Sequence, residues 1–131
     1  MLRTKCVWSP IDRKKDGLRI LAARFRGRGL PANRYDVWMP SLGPSERLLR
    51  EVQSGKISHA EFAGRYRAEM LSSSDIDQDN LSIKNHGQKF TLRLLKKLAE
   101  KGIVTLMCHC AEDEKRCHRH ILKTLIESRK I

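Results

Sequence analysis

Ile103-Val104-Thr105-Leu106-Met107, running straight into Cys108-His109-Cys110-Ala111-Glu112-Asp113-Glu114-Lys115-Arg116-Cys117-His118-Arg119-His120, decides how this chain is read. The first five residues are a compact apolar run without polar alternation, which predicts a strand buried on both faces at the centre of a sheet. Ahead of it, Phe90 to Lys101 predicts a helix with Leu92, Leu95 and Leu98 inside and Gly102 at its end. Behind it, Cys117 to Lys130 predicts a final helix that buries Ile121, Leu122, Leu125 and Ile126. Helix, strand, turn, helix is the building pattern of parallel sheets, whose ligands bind beyond the carboxyl ends of the strands. The turn from Cys108 to Arg116 falls at such an end.

Working outward, the rest fits the same class. Lys5 to Ser9 is a β-rich run stopped by Pro10, and Ile11 to Gly17 is polar and turn-like. Leu18 to Phe25 reads as a buried strand with arginine near its exit, broken by Gly27, Gly29 and Pro31. Tyr35 to Met39 reads as a second short strand closed by Pro40. A helix is expected from about Gly43-Pro44, with Leu48, Leu49 and Val52 on its apolar face and Gly55 as its stop. Ser58-His59-Ala60-Glu61 is a capping box, and Phe62, Tyr66 and Met70 follow on one helical face as core. Ser72 to Gln88 is a polar loop, with a broken helical turn around Leu81 to Lys84. No internal repeat or second domain is visible. The expectation is a single α/β domain over residues 1–131: a small, mainly parallel sheet with helices around it, a Rossmann-like three-layer sandwich.

A chain of 131 residues can bury enough surface to fold without disulfide or metal staples. Its net charge of +12 is concentrated: residues 1–34 hold ten basic side chains against two acids, +8 in all. Such a segment either attracts phosphates or serves as a solvated surface. No apolar run approaches the length of a membrane helix, and Met1 to Lys5 leads into no apolar signal core. A cytoplasmic location is therefore expected, where the four cysteines stay reduced as free thiols, metal ligands or redox groups.

Two stretches resemble the domain of unknown function 488 family. One carries Pro10, Asp16-Gly17, Arg19, Leu21, Arg24, Arg28-Gly29-Leu30, Asp36, Trp38, Leu42 and Pro44-Ser45. The other carries Val104 to Cys108, an acidic turn, and Cys117-His118-Arg119 opening the last helix. The resemblance spans about Val7 to Leu125 and implies a compact α/β fold, with no known activity. The chain departs from that pattern in its extra His109-Cys110 after Cys108, and in Arg26-Gly27-Arg28, where relatives tend to carry a tryptophan and a proline.

Three cysteines and three histidines within thirteen residues leave several readings of the turn open. In the first, it is an anion site for phosphate, a nucleotide or nucleic acid, with thiol chemistry as an option. Cys117 and His118 stand at a helix start, where the dipole lowers a thiol pKa; with Cys108 they are the catalytic candidates. Arg116, Arg119, Arg24 and Arg28 are the anion-binding candidates, since guanidinium groups pair with oxyanions through two donors. His109-Cys110 followed by five residues and Arg116 matches the tyrosine-phosphatase loop. Glu112, Asp113 and Glu114, with no glycine among them, argue against that cradle. In the second reading, Cys108, Cys110, Cys117 and His118 (or His120) bind zinc, although Cys-x-Cys is tighter than usual structural spacing. In the third, the basic N-terminal segment makes a non-catalytic nucleic-acid-binding module. The plain alternative is packing: Cys108 ends a buried strand, and the acids solvate a loop. Elsewhere, Trp38 and Cys6 read as core, His59 and His86 as surface, and Ser45 as a helix cap. With only 5% of residues aromatic, a base-stacking module has little to work with.

Overall fold

The apolar run after Gly102 is the centre of the sheet. A computed structural model describes residues 1–72, 79, 81–82 and 87–131. In it β4 (Val104–Cys108) is buried at every position and lies between β1 (Leu2–Cys6) and β2 (Leu18–Leu21), with β3 (Val37–Trp38) at the far edge. All pairings are parallel; Cys6 stands opposite Cys108 and Leu21 opposite Met107.

Alternation along the strands divides the core. Leu2, Ile20, Ala22, Val104 and Leu106 face a layer made by α2 (Glu46–Gln53), α3 (His59–Leu71), α4 (Lys89–Lys101) and α5 (His118–Glu127). Val7, Leu21, Ala23 and Met107 face the other way, under Leu30 and Tyr35. On that thinner side α1 (Arg13–Asp16) is tied down: Thr105 Oγ1 donates to Asp16 O at 2.6 Å, and Lys5 Nζ stands 2.9 Å from the Asp16 carboxylate. The layers are those of an α/β three-layer arrangement. The turn between α1 and β2 needs glycine: Gly17 has φ +60°, and a Cβ there would lie 2.2 Å from Ile103 O.

Several boundaries differ from the sequence reading. The strand expected to Phe25 stops at Leu21, because the backbone at Ala23 and Arg24 turns to pack against Gly43, where a Cβ would be 2.4 Å from Arg24 N. Residues Arg13–Asp16 are a short helix capped by Asp12. The helix expected from Gly43-Pro44 begins at Glu46, with Ser45 as its cap, accepting from Leu48 N at 3.2 Å. Ser58 caps α3 through Glu61 N, and Phe62, Tyr66 and Met70 are buried as expected. In α4 the inward face runs Leu92, Leu95 and Ala99, so Leu98 is turned outward and is 38% exposed. Trp38 is also 38% exposed, since it lies on a two-residue edge strand; its indole Nε1 donates to Ala23 O at 2.8 Å. His59 is half-buried against the Phe62 ring, not a free surface side chain. Most of the loop expected over 72–88, with His86 and part of the turn expected over 81–84, lies outside the described residues. Among the described residues no helix is long and apolar enough to cross a membrane.

Topology makes a crevice. From β2 the chain continues toward β3 on one side; from β4 it enters α5, which packs back over β1 and β4. The chain therefore leaves β2 and β4 in opposite directions, and between their carboxyl ends lies the place where open α/β sheets bind ligands.

Candidate functional site

Cys108 is the last residue of β4 and faces the helical layer, buried. The next residues climb to the surface: His109 and Cys110 are exposed, and the His109 ring lies against Gly27, whose φ of +88° and absent Cβ leave it room. The chain returns at Cys117, which caps α5 and is buried, and His118 opens the helix. Strand end and helix start thereby bring Cys108 Sγ to 2.7 Å from Cys117 Sγ, with His118 Nδ1 3.7 Å from Cys117 Sγ.

The imidazole is fixed. His118 Nε2 donates to the Ala22 carbonyl, so Nδ1 carries the lone pair and points at sulfur. Burial lowers the His118 pKa and keeps the ring neutral. The Tyr66 ring meets it edge-on at 5.6 Å, and the Tyr66 hydroxyl donates to Leu42 O.

Arg119 is 1% exposed. Its Nη1 donates to Cys108 Sγ at 3.0 Å and Cys110 O at 2.9 Å, and its Nη2 to the carbonyls of Ala111 and Glu112. It clamps the turn and puts a positive charge beside the sulfurs. Burial alone would depress its pKa; the neighbouring sulfur charge outweighs burial and raises it. Hydrogen bonds from Cys108 and Cys117 hold the Cys110 thiol well below its usual value. The bond to Cys110, opposed by that to Cys117, pushes Cys108 up to about 11, and the bonds to Cys108 and Cys110 push Cys117 up as well.

The acidic run does not enter this centre. The Glu112 carboxylate accepts from Cys6 N and Ser9 Oγ at the end of β1, and Glu114 accepts from Arg116 N. His120 Nε2 meets the Glu114 carbonyl, away from the sulfurs. Cys6 is buried, its sulfur accepting from Trp8 N.

Beside the cluster opens a cavity of about 200 Å³. Cys108, His109, Cys110 and His118 form one wall; Ala23, Arg24 and Phe25 after β2, with Pro44, Leu49 and Gln53, form the other. The arrangement combines a crevice at the topological switch point with a convergent set of soft ligands and an anchored imidazole.

The chain is matched from residue 2 to residue 130 by the family model described as the active DUF488-N3 subclade. It belongs to the DUF488 family. No curated protein and no solved structure matches it.

In this DUF488 chain the sequence candidates are brought together in part. Cys108, Cys117 and His118 converge, Cys110 stands at the crevice wall, and Arg24 lines the crevice with its Nε and Nη2 donating to Pro44 O and Gly43 O. Arg119 is inside the turn, not at the cavity wall. Arg28 and Arg116 are exposed and do not line the crevice. The ligand atoms of Cys108, Cys117 and His118 all lie within 4.8 Å of one another, so this cluster could hold a metal. Sequence reasoning missed Phe25, Leu49, Gln53 and the carbonyl of Ala22. Nothing local marks them; they reach the site because β2 and α2 end beside β4.

Proposed function

We propose that the crevice at the carboxyl ends of β2 and β4 binds a ligand with an anionic group and presents to it a thiolate on Cys110. The paired Cys108 and Cys117 thiols on one buried, charged arginine, with Cys110 at the wall of the adjoining cavity, carry this reading. Cys108 and Cys117 act as donors that stabilise the thiolate, the neutral His118 keeps its Nδ1 beside Cys117 Sγ, and Arg119 supplies the counter-charge. Arg24 is the anion contact at the wall, through the Nη1 that has no partner among the described residues. The description of the matched subclade as active supports a reaction here, and a reduced thiol suits the cytoplasm expected from the sequence. A nucleic-acid module built on the N-terminal basic residues has less support, because six of those ten side chains hold the chain's own carbonyls, carboxylates or hydroxyls.

A second reading has its own observation. Cys108, Cys117 and His118 are three clustered soft or borderline ligands, and Cys110, two residues along the turn from Cys108, is the candidate for the fourth that tetrahedral zinc requires. The bond from His118 Nε2 to a carbonyl is the kind that orients a metal-ligating histidine. Arg119 would balance the net negative charge of three thiolates around zinc. Metal content and thiol reactivity, measured on the same purified, reduced protein, separate the two. Substoichiometric metal and one thiol reacting fast near neutral pH are expected. One equivalent of zinc with protected cysteines would overturn the thiolate reading and install the metal centre.

A further inference from the structure

The crevice is poorly made for a bare oxyanion. Inorganic phosphate needs several converging N–H donors, yet those of Arg119 go to Cys108 Sγ and three carbonyls, and two of the Arg24 donors go to Gly43 O and Pro44 O. Much of the remaining wall is carbon: Ala23, the Phe25 ring, Pro44 and Leu49. Its polar supplements are the Gln53 amide, which both donates and accepts, and the His109 ring. The cavity of about 200 Å³ is smaller than the roughly 300–1,000 Å³ of sites that enclose a whole drug-sized ligand. It therefore takes one ring system and leaves the rest of a ligand outside. Phe25 is 54% exposed, with area free for stacking. At the wall itself Arg24 keeps its Nη1 without a partner among the described residues, on a chain of net charge +12.

A flat ring with a hydrogen-bonding edge, tethered to a negative group, is a nucleotide. We infer that the crevice binds a nucleotide, its base against Phe25, Pro44 and Leu49 with its edge read by Gln53, and its phosphate on Arg24. This rests on the anion-binding reading above and names the class of ligand for that site.

The test is calorimetric titration of the full-length, reduced protein with the common ribo- and deoxyribonucleoside 5′-monophosphates, the matching nucleosides, and inorganic phosphate, all at one low ionic strength. At least one nucleotide is expected to bind about tenfold or more tighter than phosphate, and Phe25→Ala to weaken it about tenfold, as lost stacking does. Gln53→Ala should change the preference among bases. Phe25 and Gln53 are exposed, so these variants should fold; their melting curves check it. Lys14→Ala, remote from the crevice wall, is the control. If phosphate binds as tightly as every nucleotide and Phe25→Ala changes nothing, the nucleotide assignment falls and the anion-binding reading stands. If neither binds, the assignment and the anion contact both fall, while rapid reaction of Cys110 would still be judged separately by the thiol measurement.

Discussion

Between residues 1 and 34, ten basic side chains stand against two acids, whereas between Cys108 and Arg119 the acids and bases nearly balance. On charge alone the first region attracts attention as a binding surface and the second does not. The structure reverses that order. In the N-terminal region Arg3, Arg24, Arg26 and Arg34 donate to carbonyls of nearby loops, Lys5 pairs with Asp16, and Arg19 is clamped by Asp36 and Asn33 O. These guanidinium groups fasten segments of the chain by giving their carbonyls a partner. In the C-terminal region one arginine does the same for the turn, but it also bonds the Cys108 sulfur, beside a crevice. A count of charges says how many cations a segment has. What those cations are free to bind depends on which carbonyls the fold leaves without partners.

The largest expected effect tests the arginine of the C-terminal turn. Arg119→Met should lower stability by about 3–5 kcal/mol, because it removes a buried charge together with the donors to three carbonyls and a sulfur. Arg119→Lys should recover part of this, since an ammonium keeps the charge but lacks the planar fork. Urea unfolding measures both; near-identical stabilities of wild type and Arg119→Met would mean that the turn is not held as described.

Next in size is the reactivity of the turn itself. An ordinary thiol is ionised to only about one part in 300 at pH 6. Held down by Cys108 and Cys117, Cys110 should be largely thiolate there and react with an aromatic disulfide reagent at least about tenfold faster than the buried thiols, even after allowing for the weaker nucleophilicity of a low-pKa thiolate. Cys110→Ser should abolish that fast phase and leave the rest. A fast phase that survives the substitution would move the reactive group to another cysteine.

The basic segment gives a smaller, paired contrast. Arg19→Ala breaks a buried, bidentate contact with Asp36 and a bond to Asn33 O, and should cost about 2 kcal/mol. Lys15→Ala removes an equal charge that has no side-chain partner among the described residues, and should stay within about 0.5 kcal/mol. Equal losses at the two positions would show that net charge, not its fastening, is what the segment contributes.

The same contrast explains how much was legible in the sequence. Val104 to Met107 announced the central strand because a run without alternation has few other places to go, and Ser58 with Glu61 announced α3 because capping is local chemistry. The gathering of Cys108, Cys117 and His118 was visible for a like reason: a strand end and a helix start bracket a short turn. Trp38 was misjudged as core because burial on a two-residue edge strand depends on a neighbour, not on the residue. Leu98 was misplaced because the helix turned its stripe toward Ala99. Phe25 and Gln53 were invisible as site residues, since the crevice exists only where three non-adjacent segments meet. Arg119 could be seen as a site residue, but that it faces inward follows from carbonyls that no pattern displays.

The smallest effect is a dependence on acidity. The hydrogen bond from Arg19, opposed in part by burial, holds the Asp36 carboxyl below its usual range. A carboxylate with a depressed folded-state pKa adds stability that is fully present above its unfolded value, about pH 4, and is lost as pH falls through the lower folded value. The gap between wild type and Arg19→Ala should therefore be constant from neutrality down to about pH 5 and narrow below about pH 4. Asp36 is half-exposed, with 40% of its side chain accessible, so solvent screening keeps the change modest. If the gap stays flat to pH 2.5, the carboxylate contributes nothing and Arg19 acts through Asn33 O alone. The clamp would then be a bond to backbone, as at Arg24 and Arg34, and the N-terminal arginines would share one role.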